Sequence, residues 1–226
     1  TWVGRTRQRT VYVESTSQRP VPLVHSIYVK NQLFPVFDTT KRQFMHMNFK
    51  NAADKEKESS SCSNLRSGGG RQVSWVPLIK YLRKYELDPA IIFCFSKRKC
   101  EEAADSLRAT DLTSGAADRN KIHLIYQGAI GRLSPADQRV PQIARCRDNL
   151  KRGIGVHHAG ILPIVKEATE VLFQQGLIRI LFCTETFAVG VNAPARTVVF
   201  SGIRKWDGSS MRILEPGEYI QMAGRA

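Results

Sequence analysis

The spacing of apolar residues changes its rhythm several times along this chain, and each change marks an element. After Val73, the residues Val76, Ile79, Leu82 and Leu87 recur at helical spacing until Asp88-Pro89 halts the run, which predicts a helix. Ala90 to Phe95, AIIFCF, is continuously apolar and reads as a strand buried on both faces, the habit of a parallel sheet. KRKCEEAADSL after Ser96 predicts a second helix. DLTSGAAD and LSPAD are turn or N-cap signals around two basic helical stretches, His123 to Leu133 and Ala136 to Leu150. Ile154 to His157 predicts a short strand, Pro163 to Gln175 a helix closed by Gly176, and Ile178 to Cys183 a buried strand, together a βαβ unit. Thr197 to Phe200 adds a strand, Asp207-Gly208 signals a hairpin, and a helix begins at Pro216.

Upstream the pattern weakens. VYVES and LVHSIYV flank SQRPVP, whose prolines hold extended backbone, so residues 1–38 read as a connecting segment laid along a surface. Residues 39–72 turn charged, then serine-rich, then to a triple glycine, too polar to offset the entropy of ordering; disorder is expected there. Residues 73–226 are left as one α/β domain around one core.

Composition narrows the partner. Lys and Arg number 34 against 20 Asp and Glu, a net charge of +14, which points to a polyanion. Five scattered cysteines argue against a closed disulfide framework and for reduced thiols in the cytosol or nucleus. No apolar run approaches the ~18 residues needed to span a bilayer, and the N-terminal residues carry no apolar signal core, so a soluble intracellular protein without a membrane partner is expected.

The candidate chemistry lies where predicted strands end. Ser96 and Lys97 bring a hydroxyl, an ammonium and helix-start amides together, a geometry suited to one backbone phosphate; an ordinary N-cap serine fits the same residues. In GVHHAG, His157 and His158 face opposite ways and lack a cysteine or carboxylate at ligand spacing, so no metal site is expected; one packed and one hydrogen-bonded imidazole is the plain alternative. Thr184 and Thr186 leave a buried strand with hydroxyls placed to grip phosphate, and Glu185 between them reads as an orienting or structural group. Gly190, Asn192 and Pro194 keep the following backbone irregular. Trp206 stands beside Arg204, Lys205 and Arg212, a base-stacking arrangement or a solvated basic loop. Arg225 reads as lying on the last helix, with Gln221 one turn earlier on the same face, and a planar guanidinium suits a transferring phosphoryl group.

Taken in order, AIIFCFSKRKCE, KRGIGVHHAGILPIVKEATEVLFQQGLIRILF, TETFAVGVNAPARTVVF and GEYIQMAGRA resemble motifs IV, the HHxG segment, V and the start of VI in the second RecA-like lobe of superfamily-two DExH-box RNA helicases, most closely the superkiller branch. That resemblance implies a RecA-like parallel sheet and 3′-to-5′ movement along single-stranded RNA driven by ATP and Mg2+. It implies that Ser96, Lys97, His158, Gly160, Thr184 and Thr186 lie along the RNA backbone, with Arg204, Lys205 and Trp206 on a strand-separating hairpin. It places Gly190, Asn192, Gln221 and Arg225 against ATP held by a first helicase lobe, Arg225 as the arginine finger. It also implies superkiller-complex partners at the cytoplasmic exosome, the nuclear exosome-cofactor helicases being close relatives. No G-x-x-x-x-G-K-[ST] loop or DExH tetrapeptide occurs and motif VI stops at Ala226, so the fragment alone is expected to hydrolyse no ATP and to contribute no magnesium ligands. A non-enzymatic RNA-binding scaffold, or a DNA helicase of the same superfamily, stays open from the residues alone.

Overall fold

The structure, a computed structural model, describes residues 2–8, 10–13, 22–61, 74–191 and 193–226. Asn192 and most of the glycine-serine stretch lie outside these. The chain divides into two compact units, Thr1–Gly68 and Gly69–Ala226, the second of which takes in residues 73–226.

The first unit opens with α1 (Trp2–Arg7) and then forms a hairpin of β1 (Val24–Val29) and β2 (Gln32–Asp38), with β3 (Gln43–Phe44) on the far side of β2. Lys30 and Asn31 both take positive φ, 46° and 61°, the conformation that a two-residue hairpin turn needs to match strand twist. Pro35 interrupts the alternation of β2 and sits where the register shifts, since a residue without an N–H is tolerated at a bulge. The helix α2 (His46–Ser61) packs on β1 and β2, with Ala52 buried and Asn48 donating to the Pro35 carbonyl at 2.8 Å. Residues 43–61, expected to be disordered, are therefore a strand and a helix. Charge and serine content argued against burial, but a helix needs only one stripe against a sheet.

The second unit follows the predicted rhythm closely. Its elements are α3 (Trp75–Lys84), β4 (Ala90–Phe93), α4 (Lys97–Asp105), α5 (Ala116–Ile130), α6 (Pro141–Leu150), β5 (Ile154–His157), α7 (Pro163–Gln174), β6 (Ile180–Cys183), α8 (Thr186–Gly190), β7 (Thr197–Phe200), β8 (Arg204–Trp206), β9 (Met211–Ile213) and α9 (Pro216–Ala223). Four strands form a parallel sheet in the order β5-β6-β4-β7. β4 and β6 occupy the two central positions and all eight of their side chains are buried, which is why their sequences show no polar alternation. Trp75 of α3 meets Phe182 edge-on at 5.5 Å, and a stack of Phe93, Phe200 and Tyr219 ties α9 to β7. A Cβ on Gly155 would lie 2.7 Å from Leu181 Cδ1 and 3.0 Å from Thr169 Cγ2, so only glycine lets α7 approach this closely. Among the described residues the cysteines 94, 100, 146 and 183 are free thiols, and no helix is long and apolar enough to cross a membrane.

The end of β5 belongs to this core. His157 and His158 are 6% and 2% exposed, so the expectation that His158 contacts RNA is corrected: its ring is inside. His158 Nδ1 accepts the Gly160 N–H at 3.1 Å, which leaves Nε2 carrying the proton and facing Glu101 Oε1 at 3.3 Å. His157 Nε2 meets Glu170 Oε1 at 2.7 Å. Burial depresses both pKa values, outweighing the carboxylates that raise them. Both rings are therefore neutral in the folded protein near pH 7, and the unfolded chain binds protons first as pH falls. Stability measured by denaturant should fall as pH drops below about 6.5, by at most about 1.4 kcal/mol per pH unit for each histidine. His158→Asn, which keeps an acceptor for Gly160, should flatten that slope. Stability that is level or rises between pH 7 and 5 would contradict the buried neutral pair.

Candidate nucleic-acid and nucleotide face

The parallel register aligns His157, Cys183, Phe93 and Phe200 in one row across the sheet. One residue further on, the backbone ladder continues into the loops: Thr184 N donates to His157 O at 3.2 Å, Cys94 N to Cys183 O at 2.9 Å, and Ser201 N to Phe93 O at 3.0 Å. The loops that carry the candidate residues thus begin at the same level along one edge. β4 sends the chain out toward β5, whereas β6 sends it back past β4 to β7, so the crevice beyond β4 and β6 is a switch point of the topology, where open α/β sheets bind ligands.

Beyond β4, Ser96 is extended (φ −156°, ψ 132°) and its carbonyl starts α4 while its side chain makes no capping hydrogen bond, leaving the hydroxyl unused by the helix. Lys97 is exposed, and its Cδ would stand 3.5 Å from a Cβ on Gly160, so the Ser96-Lys97 loop and the GVHHAG turn are neighbours. Gly160 lies so close to the His158 ring that its Cβ would sit 3.2 Å away. Gln142 of α6 clamps this turn, donating to Gly160 O at 2.8 Å and accepting from Leu162 N at 3.0 Å. That role has no local sequence signal, because the partners lie 18 and 20 residues away.

Beyond β6, Thr184 is half-buried and Thr186 exposed, their hydroxyls 3.1 Å apart. Thr186 opens α8, a single turn that runs into Gly190, where irregular backbone is expected. Phe187 anchors that turn, edge-on to His157 at 4.9 Å and to Phe173 at 6.4 Å. Gly190 ends it in the open, with nothing within 4 Å of an added Cβ.

The helix α9 ends at Ala223, so Arg225 lies past its end rather than on it, which corrects the expected shared face with Gln221. Gln221 is exposed. Arg225 is half-buried, its guanidinium donates to the Ala188 carbonyl of α8, and its own carbonyl accepts from Ala195 N at 2.8 Å. One short helix therefore has Thr186 at its start and holds the guanidinium of Arg225 near its middle.

The strands β8 and β9 pair antiparallel around a turn in which Asp207 Oδ1 accepts from Ser210 N and Ser209 N, both at 2.8 Å. These backbone hydrogen bonds, with the Ser209 hydroxyl, hold the Asp207 pKa down to about 2. Arg204 and Trp206 are exposed, Trp206 at 59%, free to stack. Lys205 points the other way, 13% exposed and 2.6 Å from both Glu185 and Glu218, so its ammonium is engaged by carboxylates rather than presented to a phosphate. Among the described residues no cluster of His, Cys, Asp or Glu could hold a metal ion.

The helicase conserved C-terminal domain family matches residues 135–226. The whole chain aligns with the DExH-box ATP-dependent RNA helicase DExH11 of Arabidopsis thaliana at 40% identity, covering 20% of that protein, and with Superkiller complex protein 2 of Homo sapiens at 42%, covering 19%. It aligns over its full length with the ATP-dependent RNA helicase mtr4 of Schizosaccharomyces pombe at 37%, covering 21%. The chain thus spans about a fifth of the length of the curated relatives it matches. Its similarity to these DExH-box RNA helicases runs from end to end, residues 135–226 match the helicase conserved C-terminal domain family, and the parallel α/β sheet of the second unit is the fold of a RecA-like second helicase lobe.

Proposed function

We propose that this chain is the second lobe of an ATP-dependent 3′-to-5′ RNA helicase that moves along single-stranded RNA and delivers it for exosome-mediated decay. One observation supports this reading above the rest: the paired threonine hydroxyls and the guanidinium of Arg225 are joined through α8 at one edge of a parallel sheet. Ser96, Lys97, Gly160, Thr184 and Thr186 line the carboxyl ends of neighbouring strands and would follow a sugar-phosphate backbone without reading bases. Trp206, exposed beside Arg204, would stack on a base at the end of a duplex.

Gly190, Gln221 and Arg225 fit a polyphosphate, since they offer open backbone, an exposed amide and a planar cation on adjoining elements. ATP supplies the phosphoryl group whose transfer to water drives the cycle. Arg225 would leave the Ala188 carbonyl to meet the charge on that group, and release of the carbonyl would free α8, which begins with Thr186. The first lobe of the same polypeptide would hold the nucleotide and its magnesium. By likeness to Superkiller complex protein 2, the partners proposed are superkiller-complex subunits; the free thiols of Cys94, Cys100, Cys146 and Cys183 fit the cytoplasm as the compartment proposed with them.

With the first lobe present, Arg225→Ala should lower RNA-stimulated ATP turnover by about 10^3-fold, the low end for an arginine finger, while RNA affinity changes little. Unchanged turnover would favour a non-enzymatic RNA-binding domain. For single-stranded RNA, log affinity should fall by about 0.7 per log unit of salt for every phosphate contacted. Replacing Thr184 and Thr186 by valine should weaken binding by about fivefold, near 1 kcal/mol of lost hydrogen bonding, without altering that slope, because hydroxyls release no counterions. Binding that ignores salt, or that is tighter for DNA than for RNA of the same sequence, would overturn the assignment.

A further inference from the structure

The β8–β9 ladder sets Lys205 directly opposite Arg212. Two cations facing each other across an antiparallel pair repel, so this hairpin needs anions beneath it. They come from two other elements. Glu218 of α9 accepts from both terminal nitrogens of Arg212 at 2.9 and 2.7 Å, from the Lys205 ammonium at 2.6 Å, and from the backbone N–H of Glu215 at 2.9 Å. Glu185 takes a second Lys205 donor at 2.6 Å. Burial lowers the Lys205 pKa, but the hydrogen bonds to Glu185 and Glu218 more than compensate and raise it, so the ammonium stays charged. Arg212 and Lys205 together hold the Glu218 carboxyl well below the usual carboxylate range.

The positions of these two carboxylates give the network its meaning. Glu185 stands between Thr184 and Thr186, and Glu218 stands on the helix that leads to Arg225. We propose that Lys205 is a positioning residue, a largely buried ammonium that ties the threonine loop to the helix preceding Arg225 and so couples grip on a nucleic-acid strand to the placement of Arg225. This rests on the helicase reading above. Through Lys205 the hairpin becomes a mechanical link between two functional loops, in addition to presenting Trp206 on its outer face. Glu185, by the same argument, anchors the loop rather than taking part in chemistry.

The test uses the two-lobe protein containing this chain, with steady-state ATP hydrolysis and single-stranded RNA binding across a salt series. Lys205→Met should lower RNA-stimulated kcat by about fivefold or more, the usual scale of a coupling free energy. Lys205→Arg should restore most of it, and the salt slope of RNA binding should stay unchanged. Glu185→Gln should produce a similar loss, and the double variant should be no worse than either single one, since both break one link. If Lys205→Met fails to fold, as its melting curve would reveal, Glu185→Gln alone decides. Undiminished kcat in Glu185→Gln and Lys205→Met overturns the proposal, as does a salt slope shallower by about 0.7 in Lys205→Met, which would make the ammonium a phosphate contact. Absence of RNA-stimulated turnover in the unsubstituted protein would instead overturn the helicase reading itself.

Discussion

The hydrogen-bonded register of four parallel strands is the constraint on which everything else depends. Because His157, Cys183, Phe93 and Phe200 share one row, the loops that follow them emerge together. A shift of one residue in β6 would exchange its two faces and move Thr184 relative to Ser96 and Gly160. The register is secured by burial: the eight side chains of β4 and β6 are inside, and a slip would strand them against the wrong neighbours. Function at this edge is thus a consequence of apolar packing several residues away from any charged group.

Much of this was legible in the amino-acid order. AIIFCF and the run ending at Cys183 read as buried strands because no polar alternation interrupts them, and Gly176, with φ 70°, closes α7 where a helix terminator was expected. What was not legible depends on long-range partners. The turn TFAVG is too short to show a period, and Phe187 makes it a helix only by docking between His157 and Phe173. The helix α2 looked disordered because its composition is polar; only the hairpin beneath it supplies a reason to fold. Lys205 reads from sequence as a nucleic-acid contact beside Arg204 and Trp206, since the two carboxylates that engage it lie 20 and 13 residues away along the chain. His158 sits in a run that resembles a nucleic-acid motif, yet its contribution is to shape the turn through Gly160 from inside the core.

The site therefore has two layers. Ser96, Lys97, Thr184, Thr186, Gln221 and Arg225 reach the surface, while His158, Gln142, Phe187, Glu185 and Lys205 hold them there through packing, hydrogen bonds and ion pairs. Of these supporting residues, Gln142 on α6 and Lys205 on β8 are distant in sequence from the loops they hold, whereas His158, Glu185 and Phe187 belong to those loops. Arg225 and the threonines meet at α8, so the groups proposed to face nucleotide and strand share a support only one turn long. A short element braced by a few contacts can move as a body, which suits the proposed cycle of hydrolysis and altered hold.

The central claim is that a nucleic-acid strand lies across the carboxyl ends of β5, β6 and β4. Backbone amide hydrogen exchange, measured with and without saturating single-stranded RNA, tests it most directly. The account predicts slowed exchange at residues 96–97, 159–161 and 184–188, with the opposite ends of the same strands, residues 88–90, 153–154 and 178–180, unaffected. Protection confined to those opposite ends, or spread over α5 while the carboxyl edge stays unchanged, would contradict it.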